Sequence, residues 1–178
     1  MSTATAAFNI GDKVVYPNHG VGVIEQISSR SIGLSVEKFY LLRIKSSSLK
    51  IMIPFHSVDS VGLRRVVRQT EVRKILDYLA TPGCETQSDW KNRFKENSDK
   101  MRTGSLMEVA MVLKSLLALS TDKPLSFREK KMLERARYLL VSEITMAGTH
   151  DEEAVEDKLR DALTQCHLRW PEICSLGD

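Results

Sequence analysis

The helical part of this chain is decided by the stretch Ser105-Leu106-Met107-Glu108-Val109-Ala110-Met111-Val112-Leu113-Lys114-Ser115-Leu116-Leu117. Its first four residues form a capping box, in which the serine oxygen accepts a bond from a free backbone N–H and the glutamate reaches back. The apolar residues that follow recur at the spacing of one helix face. Two further boxes open similar runs, Ser126-Phe127-Arg128-Glu129 and Thr149-His150-Asp151-Glu152. Three such starts predict a helical bundle.

Two more helices are predicted before this stretch. The first ends at Pro82-Gly83 and has apolar residues at helical spacing: Val72, Ile75, Leu76 and Leu79. The second covers residues 88–102 and is capped by Ser88 or Asp89. It places Trp90 in its first turn, on one face with Phe94 and Met101, and five cations follow Trp90: Lys91, Arg93, Lys95, Lys100 and Arg102. This pattern alone favours a core tryptophan under a solvated charged face over an exposed ring that wedges into nucleic acid.

Residues 8–61 carry the signals of short β-strands. A first strand at 14–16, a turn at 17–20 and an alternating segment at 21–27 come first. The rest is predicted as a polar connection at 28–35, strands at 39–44 and 49–53, and a fifth strand at 57–61. Short strands at close spacing predict a small open β-barrel. The predicted fold class is therefore α+β in two domains, with the barrel followed by a C-terminal α-helical bundle.

Charge is spread unevenly along the 178 residues, whose net charge is +3. Residues 62–102 hold ten Lys and Arg against six Asp and Glu, whereas residues 148–178 hold three against eight. A basic middle favours a polyanionic partner. No apolar run is long enough to span a bilayer, and the N-terminus lacks the features of a signal peptide. The three cysteines, at irregular spacing, indicate reduced thiols in the cytosol.

The sequence favours binding over catalysis. The four histidines have no metal-site spacing, and Gly20-Val21-Gly22 lacks the third glycine of a dinucleotide loop. No serine stands in a nucleophile-elbow motif. We therefore predict no enzyme activity, no metal, no cofactor and no small-molecule substrate. Trp170, near the C-terminus, is predicted to pack back on the bundle.

The strand at 49–53 offers a possible partner surface. Alternation puts Lys50 and Met52 on one face and Ile51 and Ile53 on the other. An exposed strand edge can pair with a partner strand, because its free N–H and C=O groups form a template. An edge protected by lysines is an equally good interpretation from physics alone.

Several motifs in order resemble the CarD/CdnL family of bacterial transcription regulators. The matching residues are Phe8-x-x-Gly11-Asp12-Lys13-Val14-Val15-Tyr16-Pro17-x-His19-Gly20-Val21-Gly22, Ile53-Pro54, Val61-Gly62-Leu63-Arg64, Trp90-x-x-Arg93-Phe94-Lys95 and Leu125-Ser126-x-x-Glu129-Lys130-x-Met132-Leu133. The first part also resembles the RNA-polymerase-interacting module of the transcription-repair coupling factor. The resemblance covers roughly residues 8–150.

The resemblance implies three regions: a Tudor-like RNA-polymerase-interacting domain at 1–65, a helical DNA-contacting domain at 66–168 and a short tail at 169–178. It implies binding of the β subunit of RNA polymerase, with Arg30 at a basic contact position and the strand Lys50, Ile51, Met52, Ile53 and Pro54 contributing. Met52 stands where some members have a basic residue. Either Lys50 substitutes on the same face, or this contact is apolar.

The resemblance also implies contact with promoter DNA. Trp90 matches a tryptophan that wedges into the minor groove, and Lys95 and Lys130 match basic DNA-facing positions, with Arg93 nearby. The implied activity is stabilisation of the open promoter complex through sequence-nonspecific contacts, by a cytoplasmic monomer associated with the nucleoid through polymerase. An alternative is a protein–protein adaptor whose two domains bind two protein partners without touching DNA.

Overall fold

A computed structural model of the chain describes residues 7–84 and 89–172. The chain forms two compact units, one ending at Val66 and the other starting at Val67. The first unit is a β-sheet and the second is helical, so the predicted α+β class is confirmed.

The first unit is an open five-stranded antiparallel sheet. Its strands are β1 (Lys13–Tyr16), β2 (Gly20–Ile32), β3 (Ser35–Ile44), β4 (Lys50–Pro54) and β5 (Arg64–Arg65). The spatial order is β4-β3-β2-β1-β5, which leaves β4 and β5 at the two edges. A core of apolar side chains lies on one face, and in it the ring of Tyr40 stacks on Phe55 with centroids 4.1 Å apart. Close packing extends to the backbone, since a Cβ on Gly22 would lie 2.6 Å from the carbonyl oxygen of Arg43.

Two predictions for this unit are wrong. Residues 28–35 are not a loop, because β2 and β3 continue as a paired arm that turns at Gly33, whose φ is +63°. The arm tolerates a polar sequence because cross-strand partners satisfy its backbone while its side chains are mostly exposed. Residues 57–61 are not a strand either. A 3₁₀ turn at Phe55–Ser57 leads into helix α1 (Val58–Val61), and the fifth strand is β5.

The second unit contains five helices in its described residues. They are α2 (Gln69–Ala80), α3 (Trp90–Arg102), α4 (Leu106–Asp122), α5 (Phe127–Ala147) and α6 (Glu152–Thr164). Their apolar faces form one core, which includes the predicted stripes of α4 and α5. One buried cation joins two helices, because Lys114 on α4 donates to the carbonyl oxygen of Tyr78 at 2.8 Å and also to that of Thr81, at the end of α2.

The predicted helix starts are largely confirmed. Ser126 and Glu129 form both bonds of the capping box, and Ser105 accepts from the backbone N–H of Glu108. The third box is wrong, because Asp151 caps α6 by accepting from the N–H of Ala154 at 2.9 Å. An aspartate directly before the helix places its negative charge at the positive end of the helix dipole. The alternative cap Ser88 of α3 lies outside the described residues.

The chain enters the helical unit beside the end of α5. The backbone N–H of Val67 donates to the carboxylate of Glu143 at 3.0 Å, and the side-chain amide of Gln69 donates to the carbonyl of Ala147 at 2.8 Å. Two hydrogen bonds therefore fix the first residues of this unit to the C-terminal end of α5.

The segment after α6 folds back, as predicted for Trp170. The N–H of Leu168 donates to the carbonyl of Leu163 at 3.0 Å, and that of His167 to Thr164 at 3.1 Å. These are the paired bonds of a Schellman motif, and His167 takes the left-handed conformation with φ +62°. The reversal returns Trp170 to the core, where it is 8% exposed.

Candidate nucleic-acid and partner-binding surfaces

One face of the sheet is a candidate partner surface. Strand register places Arg30 opposite Glu37, Phe39 opposite Pro54 and Leu41 opposite Met52. These residues alternate with the buried Tyr40, Leu42 and Ile53, so they project from the face opposite the core. We call Arg30, Phe39, Leu41, Met52 and Pro54 the outer sheet face. It combines an exposed cation with partly exposed apolar side chains.

Strand β4 brings together only some of the predicted polymerase contacts. Lys50 and Met52 are exposed, whereas Ile53 is buried and Ile51 packs against the core. The prediction for Ile53 is therefore corrected: its side chain stabilises the sheet, and only its backbone lies at the edge. In the described part of the chain β4 pairs with β3 alone.

A salt bridge moderates the charge of Lys50. Its Nζ lies 3.5 Å from Glu25 Oε2, and Arg43 Nη2 lies 2.5 Å from the other oxygen of the same carboxylate. Two exposed cations thus share one anion on the face that carries Met52, and the net charge there stays positive.

Trp90 is the first residue of α3 and is 57% exposed. Asp89 caps the helix by accepting from the N–H of Lys91 at 3.2 Å, and also accepts from the Asn92 amide at 2.8 Å. Lys91 Nζ lies 5.8 Å from the centroid of the Trp90 ring. The core position that the residue pattern favoured is wrong, and the exposure that the resemblance implied is confirmed.

Arg93 is not on the surface. It is 3% exposed, and its Nη2 lies 2.9 Å from Glu129 Oε1 on α5. Arg93, Asn97 and Met101 recur every four residues and form the buried stripe of α3. The prediction of Arg93 as a DNA contact is therefore corrected, because a phosphate would have to remove it from a buried ion pair. Phe94 is half-buried, and Lys95 is exposed.

Glu129 serves two helices at once. It accepts from the N–H of Ser126 at 2.9 Å as part of the α5 cap, and its other oxygen pairs with Arg93. Burial alone would raise the pKa of Glu129. The bonds from Ser126 and Arg93 outweigh burial and lower that pKa below its ordinary value. The charged pair therefore joins the first turn of α3 to the first turn of α5.

A second exposed aromatic ring stands at the start of α5. Phe127 is 69% exposed, with Lys131 Nζ 5.1 Å from its ring centroid, and the neighbouring Lys130 is exposed as well. Sequence reasoning treated Phe127 only as a capping-box residue. Its position off the apolar stripe of α5, which begins at Leu133, was the signal that could have identified it. We use the term helix-start surface for four exposed residues in the first two turns of α3 and α5: Trp90, Lys95, Phe127 and Lys130.

Within residues 7–84 and 89–172 no group of three or more His, Cys, Asp or Glu could hold a metal ion. No helix in those residues is long and apolar enough to cross a membrane.

Comparisons with known proteins show the family of this chain. Residues 8–67 match the family model described as the CarD-like/TRCF RID domain, and residues 74–160 match that of the CarD C-terminal domain. YdeB of Bacillus subtilis (strain 168), a presumed transcription factor, is 34% identical over 149 residues, which are 84% of this chain and 97% of YdeB. The solved structure of CdnLNt from Myxoccoccus xanthus is 39% identical over 38% of this chain and 94% of its own, with a TM-score of 0.30. The chain belongs to the CarD/CdnL family.

Proposed function

We propose that this protein binds the β subunit of RNA polymerase through its sheet and stabilises the open promoter complex through its helices. In this proposal residues 1–65 hold polymerase, residues 66–168 contact DNA, and residues 169–178 form a short tail. The observation that carries it is the exposed Trp90 ring at the start of α3, held in place by the buried Arg93–Glu129 pair.

The ring acts on the boundary between duplex and separated strands. Melting a promoter leaves an unstacked step at the upstream edge of the bubble, and an indole in the minor groove there replaces lost stacking. Base–aromatic stacking is worth about 1–3 kcal/mol. The unstacking that a wedge normally has to offset has already occurred at this step. The ring therefore favours open over closed DNA, and about 1.4 kcal/mol suffices for a tenfold shift in population.

The cations of the helix-start surface position the protein without selecting a sequence. Lys95 and Lys130 are exposed, and no salt bridge to either is found among the described residues. Phosphate contacts from such lysines supply affinity and register, while sequence information requires contacts to base edges. Affinity for free DNA is therefore expected to be low. Tethering to polymerase raises the effective concentration of the ring near the bubble.

The polymerase contact uses the outer sheet face and the edge of β4. Arg30 supplies a charge, Met52 and Pro54 supply apolar contact, and the β4 backbone can pair with a partner strand. Met52 stands where some family members have a basic residue. Because Met52 is apolar, we assign it an apolar contact with polymerase, with Lys50 as a cation on the same face. Polymerase would thus meet a charged and an apolar element on one face.

Trp90→Ala tests the wedge. We expect the lifetime of open complexes to fall about tenfold or more while polymerase binding is unchanged, because the substitution removes only the stacking term. A Trp90→Phe variant should retain part of the effect. An unchanged lifetime with the folded Trp90→Ala protein would disprove the wedge.

Arg30→Glu tests the polymerase contact. We expect retention on immobilised polymerase β fragments to fall about tenfold or more, because the charge of the contact is inverted. Lys38→Glu is the matched control. Lys38 is also exposed, but it projects from the opposite face of the sheet to Arg30. Equal losses in both variants would contradict a contact through the outer face.

DNA crosslinking separates this function from the protein–protein adaptor. A photoreactive group at Lys95 in a complex with polymerase and promoter should label DNA near the upstream edge of the bubble. Labelling of protein alone would favour the adaptor instead.

A further inference from the structure

A cavity of about 690 Å³ lies in the helical unit, away from the helix-start surface. Its walls come from α5, α6 and the segment that folds back after α6. The residues that matter for its chemistry are Arg137, Glu156, Arg160, His167, Arg169 and Trp170. Its size falls within the range of about 300–1,000 Å³ typical of small-molecule sites.

The Schellman motif builds the cavity. The reversal at His167 carries Arg169 and Trp170 back along α5 and α6. The segment after α6 therefore forms one side of the pocket, and α5 and α6 form the others. The Trp170 ring is held there, with the guanidinium carbon of Arg137 5.5 Å from its centroid. Arg137 in turn forms a salt bridge with Glu156. The apolar side of the pocket is therefore fixed by the core, and its polar side by an ion pair between α5 and α6.

The charged side chains that line this pocket carry an excess of one positive charge. Three arginines line it against two glutamates, Glu156 and Glu172. Glu156 is engaged by Arg137, and Arg160 pairs with the exposed Asp157 outside the lining. Arg169 is exposed, and no salt bridge to it is found in the part of the chain that the structure describes. Guanidinium groups present paired donors that match phosphate and carboxylate oxygens, so this lining suits an anion.

The combination of cations with an apolar wall narrows the ligand class. Leu168, Trp170 and Pro171 contribute apolar surface, and the arginines contribute anion donors. An inorganic ion would fill only a small part of about 690 Å³. We propose that this cavity binds a nucleoside phosphate, with the phosphate at Arg160 and Arg169 and the nucleoside against the Trp170 side.

The site goes beyond the proposed function and does not depend on it. His167, Arg169 and Trp170 lie after residue 160, where the match to the C-terminal family model ends. The pocket is thus partly built by residues that the family match does not cover. Because binding to the free protein needs neither polymerase nor promoter DNA, its failure would leave the proposed function untouched.

The chain supplies its own reporter, because it contains two tryptophans. The Trp90→Phe variant leaves Trp170 as the only one, and its fluorescence is followed while ADP is added, with calorimetry as a second measurement. Adenosine and inorganic phosphate are titrated separately. We expect a saturable change with ADP, weaker binding of adenosine, and competition by inorganic phosphate.

Arg169→Gln in the same background is the decisive variant, since Arg169 is exposed and its replacement does not disturb the core. We expect ADP affinity to fall about tenfold or more. Arg102→Gln, an exposed arginine on α3, is the matched control and should bind as the parent does. The proposal is overturned if ADP gives no saturable signal by either method, if adenosine binds as tightly as ADP, or if Arg169→Gln leaves the affinity unchanged.

Discussion

The two tryptophans of this chain occupy opposite environments. Trp90 is the first residue of α3 and is 57% exposed. Trp170 lies in the segment after α6 that packs back on the bundle, and it is 8% exposed. Both tryptophans lie next to a helix end. Asp89 caps the helix that begins with Trp90, whereas the left-handed conformation of His167 reverses the chain so that Trp170 returns to the core. The Trp170 side chain therefore belongs mainly to the core and only lines the proposed pocket, whereas most of the Trp90 ring is available for binding. Burial, and not residue type, separates the two roles.

The exposed ring depends on a buried anchor, and removing that anchor should have the largest effect. Arg93→Ala leaves the Glu129 carboxylate buried without its cation, which costs about 3–5 kcal/mol of unfolding free energy. Urea denaturation followed by circular dichroism measures this. Lys95→Ala, two residues along the same helix but exposed, should stay within about 0.5 kcal/mol. Similar losses in the two variants would contradict the distinction between anchor and surface.

Trp170→Ala should have the next largest effect. Truncating a buried tryptophan loses its transfer free energy and leaves a cavity, so we expect a loss of about 3 kcal/mol in the same denaturation experiment. Trp90→Ala is the matched substitution and should change the unfolding free energy by no more than about 0.5 kcal/mol. A larger loss of unfolding free energy in Trp90→Ala than in Trp170→Ala would contradict the assignment of Trp170 to the core and of Trp90 to the surface.

Acid should weaken the anchor. The pKa of Glu129 is lowered in the folded protein, so its stabilisation is complete above the unfolded value near 4.5 and is lost as pH falls through the lower folded value. Glu129→Gln removes this titration, and its unfolding free energy should fall less steeply than that of the parent below about pH 4.5. Parallel curves for the two proteins would show that the carboxylate does not contribute. Glu96→Gln, in a partly exposed i,i+4 pair with Lys100, is a suitable control.

The smallest expected effect is that of a single surface cation. Lys95→Gln should lower the slope of log affinity against log salt by about 0.9 for DNA in the polymerase complex, as one phosphate contact is lost. Lys123→Gln, an exposed lysine at the end of α4, should leave the slope unchanged. A slope unaffected by either substitution would argue against a phosphate contact at Lys95.

Most of the fold could be predicted from local sequence patterns, because capping boxes and the alternation of apolar residues depend on residues that are close in sequence. The apolar stripes of α4 and α5 and the strands β1, β3 and β4 appear where those patterns place them. The arm at residues 28–35 could not be predicted, because its strand conformation comes from pairing between β2 and β3 and not from an apolar face. The cap of α6 was misplaced for a different reason, since two acceptable capping residues, Thr149 and Asp151, stand two positions apart.

The candidate surfaces were less predictable than the fold. Trp90 does lie on the face of α3 that points inward, close in angle to Met101, but it stands at the helix end and remains exposed there. The spacing of apolar residues predicts which face of a helix points inward. It does not predict whether a neighbouring helix extends far enough to cover a residue at the helix end. Arg93 shows the converse, because a cation in a basic stretch gave no local sign of its partner Glu129, which lies 36 positions away. Only the resemblance to a family reversed the expectation for Trp90.

The hydrogen bonds at the start of the helical unit have a geometric consequence. Val67 and Gln69 are fastened to the C-terminal end of α5, and Phe127 and Lys130 stand at its N-terminal end. The 21 residues of α5 form a strut of roughly 31 Å, at 1.5 Å of rise per residue. The point where the chain enters this unit and the α5 residues proposed to contact DNA therefore lie at opposite ends of one helix.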